Sequence, residues 1–431
     1  MKRNTLPQLS AIVISLLFFS ILSGCGQTTD KHRDEISNDF DPHGSGMKYF
    51  FDCDDMDFHF GNLVLGSAVN NGVSIGEAFY AASRIINGDA KSWQSEWTAL
   101  AKRVKLRGDT SLMNGHTVSA IDQYLRASYY YRISVVSMLP DNPGLETNAQ
   151  NSRKTLLKAG ELLSPKIEYV EIPFEGTVIP GFFRKANTGN EPTKTLLMIG
   201  GGETFAEDLY FYLAKQAFDR GYNFMTVDLP GQGIMPLQGQ IFRADTYVTM
   251  KSVVDYVLSR SDVDAEKLVA YGISGGGEFV PQAAEHDKRI KAIAMNSGVY
   301  DARALFATMP VTKATKEEMA GWTNFHRCVV QSINWRWGLE LDNPAGLVDA
   351  NKGFEFEPAN VSVPVLLVIG EGEYKSEEVQ RQQNVIMDNV NTTVKKQVIT
   401  PSDEGATNHC VMENRNIIGQ VVFDFFDEVI D

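Results

Sequence analysis

The stretch Lys267-Leu-Val-Ala-Tyr-Gly-Ile-Ser-Gly-Gly276 decides the fold of this 431-residue chain. Its first part, Lys267–Tyr271, is a short apolar run that predicts a buried strand. Gly272–Gly276 has the pattern G-x-S-x-G, and a helical pattern near Glu278–His286 follows. Small residues flank Ser274 because a serine at a strained strand-to-helix turn leaves no room for side chains. Such a turn lifts the hydroxyl out of the sheet and points the helix N-terminus at developing negative charge. We therefore predict Ser274 as a catalytic nucleophile.

Apolar runs alternate with helical patterns on both sides of this stretch. Ile167–Pro173 and Thr177–Phe183 alternate like a strand pair around the Glu175-Gly176 turn. The remaining predicted strands are Thr195–Ile199, Asn223–Val227, Lys267–Tyr271, Ile290–Met295, Val365–Ile369 and Lys395–Ile399, with an insertion before Val365. This alternation predicts an α/β fold with a mostly parallel sheet covered by helices on both faces. Reactive groups then collect at the carboxyl ends of the strands.

The region before the sheet has helical periodicity instead. Apolar residues recur at three- and four-residue spacing in Ser74–Ile86, Trp93–Arg107, Val118–Ser137 and Ala149–Leu163. Turn-forming residues such as Gly88-Asp89 and Gly108-Asp109 separate these segments. We predict a helical domain at residues 50–165 and a catalytic α/β domain at residues 166–431.

The base that activates the serine is sought among seven histidines. In hydrolases with this kind of turn the chain order is serine, acid, histidine, and the histidine follows the last strand. Only His409 lies there, which makes it the predicted general base. His286 ends the helix after Ser274 and His43 falls in a polar N-terminal segment, so both are assigned no role. His326 lies in the insertion, and we interpret it as an ordinary polar residue. The alternative is that it lines the pocket.

The acid that orients His409 is expected after the Val365–Ile369 strand. Hydrolases commonly place it three residues after a glycine such as Gly370, and this selects Glu373. Glu371 is a near alternative, and Asp301, after the preceding strand, is a more distant one.

Two backbone N–H groups are needed to hold the oxyanion. One is expected from Gly275, directly after the nucleophile. The other is expected from Gly200-Gly201-Gly202, where three glycines let the backbone approach a substrate closely. We favour Gly202, with Gly201 as the alternative.

The first 25 residues have the features of a bacterial lipoprotein signal peptide. Lys2 and Arg3 precede an apolar run, Ala11–Leu22, that is short for a membrane-spanning helix. Leu22-Ser-Gly-Cys25 resembles a lipobox, which implies a lipid on Cys25 and a cell-envelope location. Gly26 after the cysteine points to the outer membrane in a Gram-negative host. Residues 26–49 are polar and predict a flexible tether.

Composition excludes several other classes of function. A net charge of −14 without a basic stripe argues against nucleic-acid binding. The cysteines Cys25, Cys53, Cys328 and Cys410 form no C-x-x-C pair, so neither a zinc site nor a redox motif is indicated. No metal and no organic cofactor is expected.

The chain resembles one branch of the α/β-hydrolases, which includes the FrsA-like esterases and the 2,6-dihydroxypseudooxynicotine hydrolases. The resemblance runs from about Ala78 to the C-terminus. It rests on Gly88-Asp89, Ser92-Trp93, Glu96-Trp97, Gly115-His116, Arg126–Arg132, Gly200–Thr204, Asp228-x-Pro-Gly-x-Gly233 and Gly405-x-x-Asn-His-Cys410.

This resemblance implies that the helical domain closes over the active site as a lid. It also implies a substrate-contacting or supporting role for Glu203. Family members use an aspartate in the triad, so Glu373 is a departure from the pattern. Arg126 and Arg132 are interpreted as structural ion pairs rather than substrate contacts.

We therefore expect a serine hydrolase that acts on a small, ester-like carbonyl substrate through an acyl-enzyme. One alternative is hydrolysis of a C–C bond beside a ketone, which the family resemblance also allows. Another is a prolyl-peptidase-like activity, disfavoured because no propeller repeat precedes the catalytic region. A non-catalytic envelope binding protein with the same fold is the alternative outside enzymes.

Overall fold

The computed structural model describes residues 37–44 and 46–430. The predicted signal peptide, Cys25 and the first part of the predicted tether lie outside the described residues. Within the described ranges, no helix has both the length and the hydropathy needed to cross a membrane.

The region before the sheet is helical. Its α-helices are α1 (Asp54–Phe58), α2 (Ile75–Ala82), α3 (Ala90–Met113), α4 (Thr117–Ser134) and α5 (Gly144–Leu162). A π-helical turn (His59–Val64) and a 3-10 helix (Leu65–Asn70) continue α1. Helix α3 begins where Asp89 accepts a hydrogen bond from the backbone N–H of Ser92, a common N-cap arrangement. Trp93 and Trp97 lie one turn apart on its buried face.

Eight strands form one sheet. They are β1 (Ile167–Phe174), β2 (Thr177–Arg184), β3 (Thr193–Ile199), β4 (Asn223–Val227), β5 (Val263–Ile273), β6 (Ala292–Asn296), β7 (Val365–Gly370) and β8 (Lys395–Thr400). Their order is β1-β2-β4-β3-β5-β6-β7-β8. The β1–β2 and β2–β4 pairs are antiparallel, and all the others are parallel. The predicted mostly parallel sheet is confirmed.

Twelve further α-helices connect and cover these strands within the described residues. They are α6 (Ala206–Leu209), α7 (Lys215–Asp219), α8 (Thr246–Ser259), α9 (Gly276–His286), α10 (Ala302–Phe306), α11 (Pro310–Lys313), α12 (Lys316–Gly321), α13 (Asn324–Arg336), α14 (Gly346–Ala350), α15 (Glu371–Tyr374), α16 (Glu377–Asn389) and α17 (Arg415–Ile430). Helices α10–α14 belong to the insertion between β6 and β7.

Each face of the sheet has its own hydrophobic core. Alternate residues of β5 show the division, because Val269 and Tyr271 point to one core and Leu268 and Ala270 to the other. The first core also contains the buried side chains of α3, α4 and α17, so the helical region and the sheet share it. The second core is completed by α8, α9 and α16.

Of the predicted flexible tether, residues 26–49, the structure describes residues 37–44 and 46–49, and these contact the rest of the protein. Ser37 pairs with the segment before α16, donating its N–H to Lys375 O (3.2 Å) and accepting from Glu377 N (2.9 Å). Phe40 is only 4% exposed. The buried ring and the backbone hydrogen bonds together hold this polar segment against the protein. We call residues 37–44 the strap.

Candidate active site

Ser274 occupies the sharp turn between β5 and α9. Its φ is +54°, a left-handed value that is rare for a non-glycine residue. Its N–H donates to Asn296 O at 2.7 Å. A Cβ at Gly272 would lie 1.9 Å from Gly276 O, and one at Gly277 would lie 1.8 Å from Ser297 O. The glycines are therefore required by the close approach of backbone to backbone at this turn.

Three side chains predicted from separate parts of the sequence form a hydrogen-bonded chain. His409 Nε2 lies 2.9 Å from Ser274 Oγ, and His409 Nδ1 lies 2.7 Å from Glu373 Oε1. The two alternative acids lie elsewhere. Glu371 is exposed and accepts from Ser402 N, and Asp301 caps α10 by accepting from Ala304 N. The structure therefore brings Glu373, and neither alternative, to the imidazole.

The loop that carries His409 is held tightly. Glu373 N donates to Thr407 O (3.3 Å), which joins the turn with the acid to the loop with the histidine. Cys410 adopts a φ of +57°, and its carbonyl accepts from Tyr212 Oη (2.5 Å) and Asn296 Nδ2 (2.8 Å). These contacts fix the imidazole between serine and carboxylate.

Burial and charge act in opposite directions on the imidazole. Burial disfavours the protonated form of His409, while negative charge on Cys410 or Glu373 favours it, and the net effect raises its pKa above the ordinary value. Because burial raises the pKa of the Cys410 thiol, that thiol stays neutral and Glu373 is the charge that matters. A carboxylate in this position stabilises the imidazolium that forms when the serine loses its proton.

The loop after β3 lies against the serine turn. Gly201 N–H donates to Thr204 Oγ1 at 2.9 Å, so this N–H is not free to bind an oxyanion. In the part of the chain that the structure describes, no protein acceptor is found for the N–H groups of Gly202 and Gly275. A Cβ built on Gly275 would lie 3.6 Å from Gly202 N, so the two residues are neighbours. This arrangement favours the predicted pair Gly202 and Gly275 as oxyanion donors.

The segment after β4 supports the same loop. Gln232 Nε2 donates to Gly200 O (2.6 Å) and Gly201 O (3.1 Å), and Arg336 Nη1 donates to Gly231 O (2.8 Å). Burial raises the pKa of Asp228, at the start of this segment, to about 7, although Arg153 lies 3.3 Å away. The segment at 228–233 thus positions the glycine loop.

Glu203 lies in the wall of the pocket that contains Ser274 and His409. Its carbonyl accepts from Arg132 Nη2 (3.0 Å), and its Oε2 lies 3.4 Å from His43 Nε2. Burial by itself lowers the pKa of His43, but hydrogen bonds to Asp55 and Glu203 outweigh it and raise the pKa to about 10. Arg132 pairs with Asp208 at 2.8 Å, the structural role expected for it.

Three parts of the chain cover the pocket. The sequence predicted this position for only one of them, the helical region. The helical region, which the family resemblance predicts to close over the site, contributes Phe58, Leu63 and Tyr129. The insertion adds Phe306, Met309, Trp337 and Phe354, and the strap adds Phe40, whose ring meets His409 edge-on at 5.9 Å. Phe40 and His43 were missed because the segment around them is polar. The one available signal in the sequence was Phe40, an aromatic residue isolated in an otherwise polar segment.

Glu278 is a second residue that sequence reasoning missed. It follows Ser274 by one helical turn, lines the pocket and is 1% exposed. Its Oε1 accepts from Gln282 Nε2 at 3.0 Å. Burial raises its pKa well above the ordinary value of a glutamate, which favours the neutral acid form. His326, by contrast, hydrogen-bonds Asp55 behind the wall of this pocket.

Several known hydrolases are similar to this chain. A profile of the esterase FrsA-like family matches residues 83–311, which include Ser274 and the glycine loop but neither Glu373 nor His409. Hydrolase acrC of Aspergillus aculeatus is 34% identical over 287 residues, 62% of this chain and 65% of that protein. 20-hydroxy-prefusarin hydrolase FUS2 of Gibberella moniliformis is 31% identical over 64% of this chain and 66% of its own length. The match thus spans just under two thirds of each relative.

A solved structure extends the likeness in fold. The crystal structure of 2,6-dihydroxy-pseudo-oxynicotine hydrolase superimposes with a TM-score of 0.66 and 19% identity, covering 85% of this chain and 95% of the other. The profile match covers more than half of the chain. The chain is therefore an α/β-hydrolase enzyme and a member of the FrsA-like esterase family.

Proposed function

We propose that this enzyme cleaves a small, ester-like carbonyl substrate with Ser274 as nucleophile. The hydrogen-bonded chain Ser274–His409–Glu373 at the base of the pocket is the observation that carries the proposal. His409 takes the proton from Ser274 Oγ as that oxygen attacks the carbonyl carbon. The N–H groups of Gly202 and Gly275 stabilise the negative oxygen of the tetrahedral intermediate.

Collapse of the intermediate completes the first half of the reaction. His409 returns the proton to the leaving oxygen, and the acyl group stays on Ser274. Water, deprotonated by His409, then attacks the acyl carbonyl and releases the acid. Glu373 keeps the imidazole in the tautomer that this exchange needs. Aromatic and aliphatic side chains around the pocket favour a substrate with an apolar acyl part.

A second candidate is hydrolysis of a C–C bond next to a ketone, with the same serine and histidine. It is favoured by the structural likeness to 2,6-dihydroxy-pseudo-oxynicotine hydrolase, which extends over 85% of this chain. In this case His409 delivers its proton to a carbon leaving group instead of an oxygen. Parallel assays with an aryl ester and with the corresponding aryl 1,3-diketone distinguish the two activities, because the two substrates give different products.

Labelling with a fluorophosphonate probe tests the nucleophile. We expect the full chain to be labelled and the Ser274→Ala variant to be unlabelled. Ser297→Ala is the matched control, because Ser297 is a buried serine of the same pocket. It should keep the label. An unlabelled folded wild type, or labelling that persists in Ser274→Ala, would remove the basis of the proposal.

We also propose that the enzyme is held in the cell envelope by a lipid on Cys25, as the lipobox-like sequence indicates. Cys25→Ala should move the protein from the membrane fraction to the soluble fraction. Mass spectrometry of the N-terminal peptide should show the acylated cysteine in wild type. A peptide that begins at another residue without acylation would contradict the anchor.

A further inference from the structure

A second cluster of polar side chains lines the pocket that holds Ser274. It contains His43 of the strap, His59 at the end of α1 and Glu203 beside the glycine loop. One ligand atom from each of these residues lies within 4.8 Å of the other two. His59 is buried, and the other two side chains are partly buried. Three distant parts of the chain therefore bring two imidazoles and one carboxylate to one point.

Both imidazoles are oriented through the nitrogen that faces away from the cluster. His59 Nδ1 lies 2.6 Å from Asp55 O, and because a carbonyl only accepts, Nδ1 carries the proton and Nε2 has the free electron pair. His43 Nδ1 lies 2.6 Å from Asp55 Oδ1, while its Nε2 points towards Glu203. A histidine that ligates a metal typically donates its other ring N–H to a carboxylate or a backbone carbonyl. Asp55 supplies both kinds of acceptor, its carboxylate for His43 and its backbone carbonyl for His59.

Packing holds the rings in these orientations. The ring of His43 stacks on Phe58 with 4.7 Å between centroids and meets His59 at 5.1 Å. His59 meets Phe325 edge-on at 5.8 Å. The second carboxylate oxygen of Asp55 is occupied by His326 Nδ1, so Asp55 cannot turn away from the cluster without losing that hydrogen bond. The ligand atoms are thus arranged before anything binds.

We propose that His43, His59 and Glu203 bind one divalent transition-metal ion of the zinc class. Two imidazole nitrogens and a carboxylate form a ligand set that suits Zn²⁺ and neighbouring first-row metals. Ca²⁺ and Mg²⁺ are disfavoured because they require oxygen ligands. Binding displaces the Nε2 proton of His43 to solvent. The inference goes beyond the proposed hydrolase activity and stands without it.

The position of the ion defines what it would bind. Three protein ligands leave at least one coordination position of a tetrahedral ion open, and the cluster borders the substrate pocket. Glu203 directly follows Gly202, so the ion lies beside the predicted oxyanion loop. The chemical class that suits such a position is an anionic oxygen donor of a bound molecule, such as an enolate, a phenolate or a carboxylate.

The competing interpretation is that a proton, not a metal, occupies the cluster. His43 Nε2 and Glu203 Oε2, 3.4 Å apart, then form an imidazolium–carboxylate pair. The two interpretations differ in whether His59 matters, because it takes no part in that ion pair but is required as a metal ligand.

Calorimetric titration of ZnCl₂ into the chelator-treated full chain with Ser274→Ala tests the site without any turnover. We expect saturable binding of one equivalent. His59→Ala and Glu203→Gln should each weaken it by at least about 100-fold, and Asp55→Asn, which removes the support of His43, by about 10–100-fold. The matched control is His286→Ala, because His286 also directs Nδ1 at a backbone carbonyl, Gln282 O, at 3.0 Å. It should bind zinc like its parent.

Absence of saturable zinc binding, or equal binding in the His59→Ala/Glu203→Gln double variant, would overturn the proposal. Thermal melts of the zinc-free proteins show whether each variant is folded. For variants that do not fold, X-ray absorption at the zinc edge of the Ser274→Ala chain replaces the comparison. Two imidazole nitrogens and a carboxylate oxygen at about 2.0–2.2 Å support the site. Sulfur ligands would place the zinc on a cysteine and contradict it.

Discussion

Glu373 illustrates how a single carboxylate serves two purposes in this site. Its Oε1 accepts from His409 Nδ1, and its Oε2 lies 3.4 Å from Cys410 N. The first contact orients the imidazole and raises its pKa, while the second anchors the loop beside it. The glutamate side chain is longer than that of the aspartate expected from the family resemblance. It reaches the histidine from a helical turn, α15, that begins directly after β7.

We expect Glu373→Gln to lower kcat by about 10³–10⁴-fold, because the amide does not stabilise the imidazolium and favours the wrong tautomer. Activity requires neutral His409, whose raised pKa puts the acid limb of the wild-type pH profile above about pH 6.5. Loss of the carboxylate charge lowers that pKa, so the limb of the variant should move to lower pH. Steady-state kinetics across pH measure both effects.

The control for this change is Glu371→Gln, two residues earlier on the exposed side of the same turn. It should leave the rate and the pH profile unchanged. A Glu373→Gln enzyme with wild-type kcat would show that another group orients the imidazole.

At the scale of elements, α4 supports the glycine loop from the helical region. Arg132 is 4% exposed, pairs with Asp208 of α6 and donates to the carbonyl of Glu203. Its guanidinium also lies 4.2 Å from the ring centre of Phe205. Removal of one member of a buried pair leaves the other charge uncompensated, which is more costly than the pair is stabilising.

Arg132→Leu should therefore lower the free energy of unfolding by about 3–5 kcal/mol and reduce kcat, since Glu203 and the loop lose their support. Urea denaturation and steady-state kinetics measure the two effects. Lys251→Ala, which breaks the exposed pair with Asp255 on α8, is the control and should change neither measurably. A normal stability in Arg132→Leu would mean that the pair is not buried as described.

At the scale of the whole molecule, the helical region and the sheet share one hydrophobic core. Trp93, Trp97 and Leu100 of α3 belong to the same cluster as Val269 of β5 and Phe423 of α17. A lid that simply rested on the sheet would have a separate core. We therefore expect the two regions to unfold together.

Leu100→Ala should lower the free energy of unfolding by about 2–5 kcal/mol, since it leaves a cavity in this shared core. Within each protein, tryptophan fluorescence and far-UV circular dichroism should give one coincident urea midpoint, and that midpoint should lie at lower urea in the variant than in the parent. Val365→Ala in β7 should likewise shift both signals together. Separate midpoints for the two signals in Leu100→Ala would show that the two regions do not unfold together.

The sequence by itself determined the sheet and which residues to propose for the reaction. The β5–α9 turn, the order of the apolar strands and the position of His409 after the last strand follow from local patterns and chain order. For this reason the predicted strands agree with the observed ones to within a few residues. Glu373 was distinguishable from Glu371 and Asp301 only by a spacing rule, and the structure places it alone against the imidazole.

Only the tertiary structure decided what surrounds those residues. The strap, the insertion and the cluster of His43, His59 and Glu203 are brought together from segments far apart in the chain, and no short-range pattern marks such contacts. Phe40 and His43 lie in a polar segment whose composition predicts a tether. The rest of the protein offers an apolar surface, and this makes their burial favourable. Local pattern specifies strands and turns, whereas the shape and polarity of a pocket depend on which distant surfaces meet.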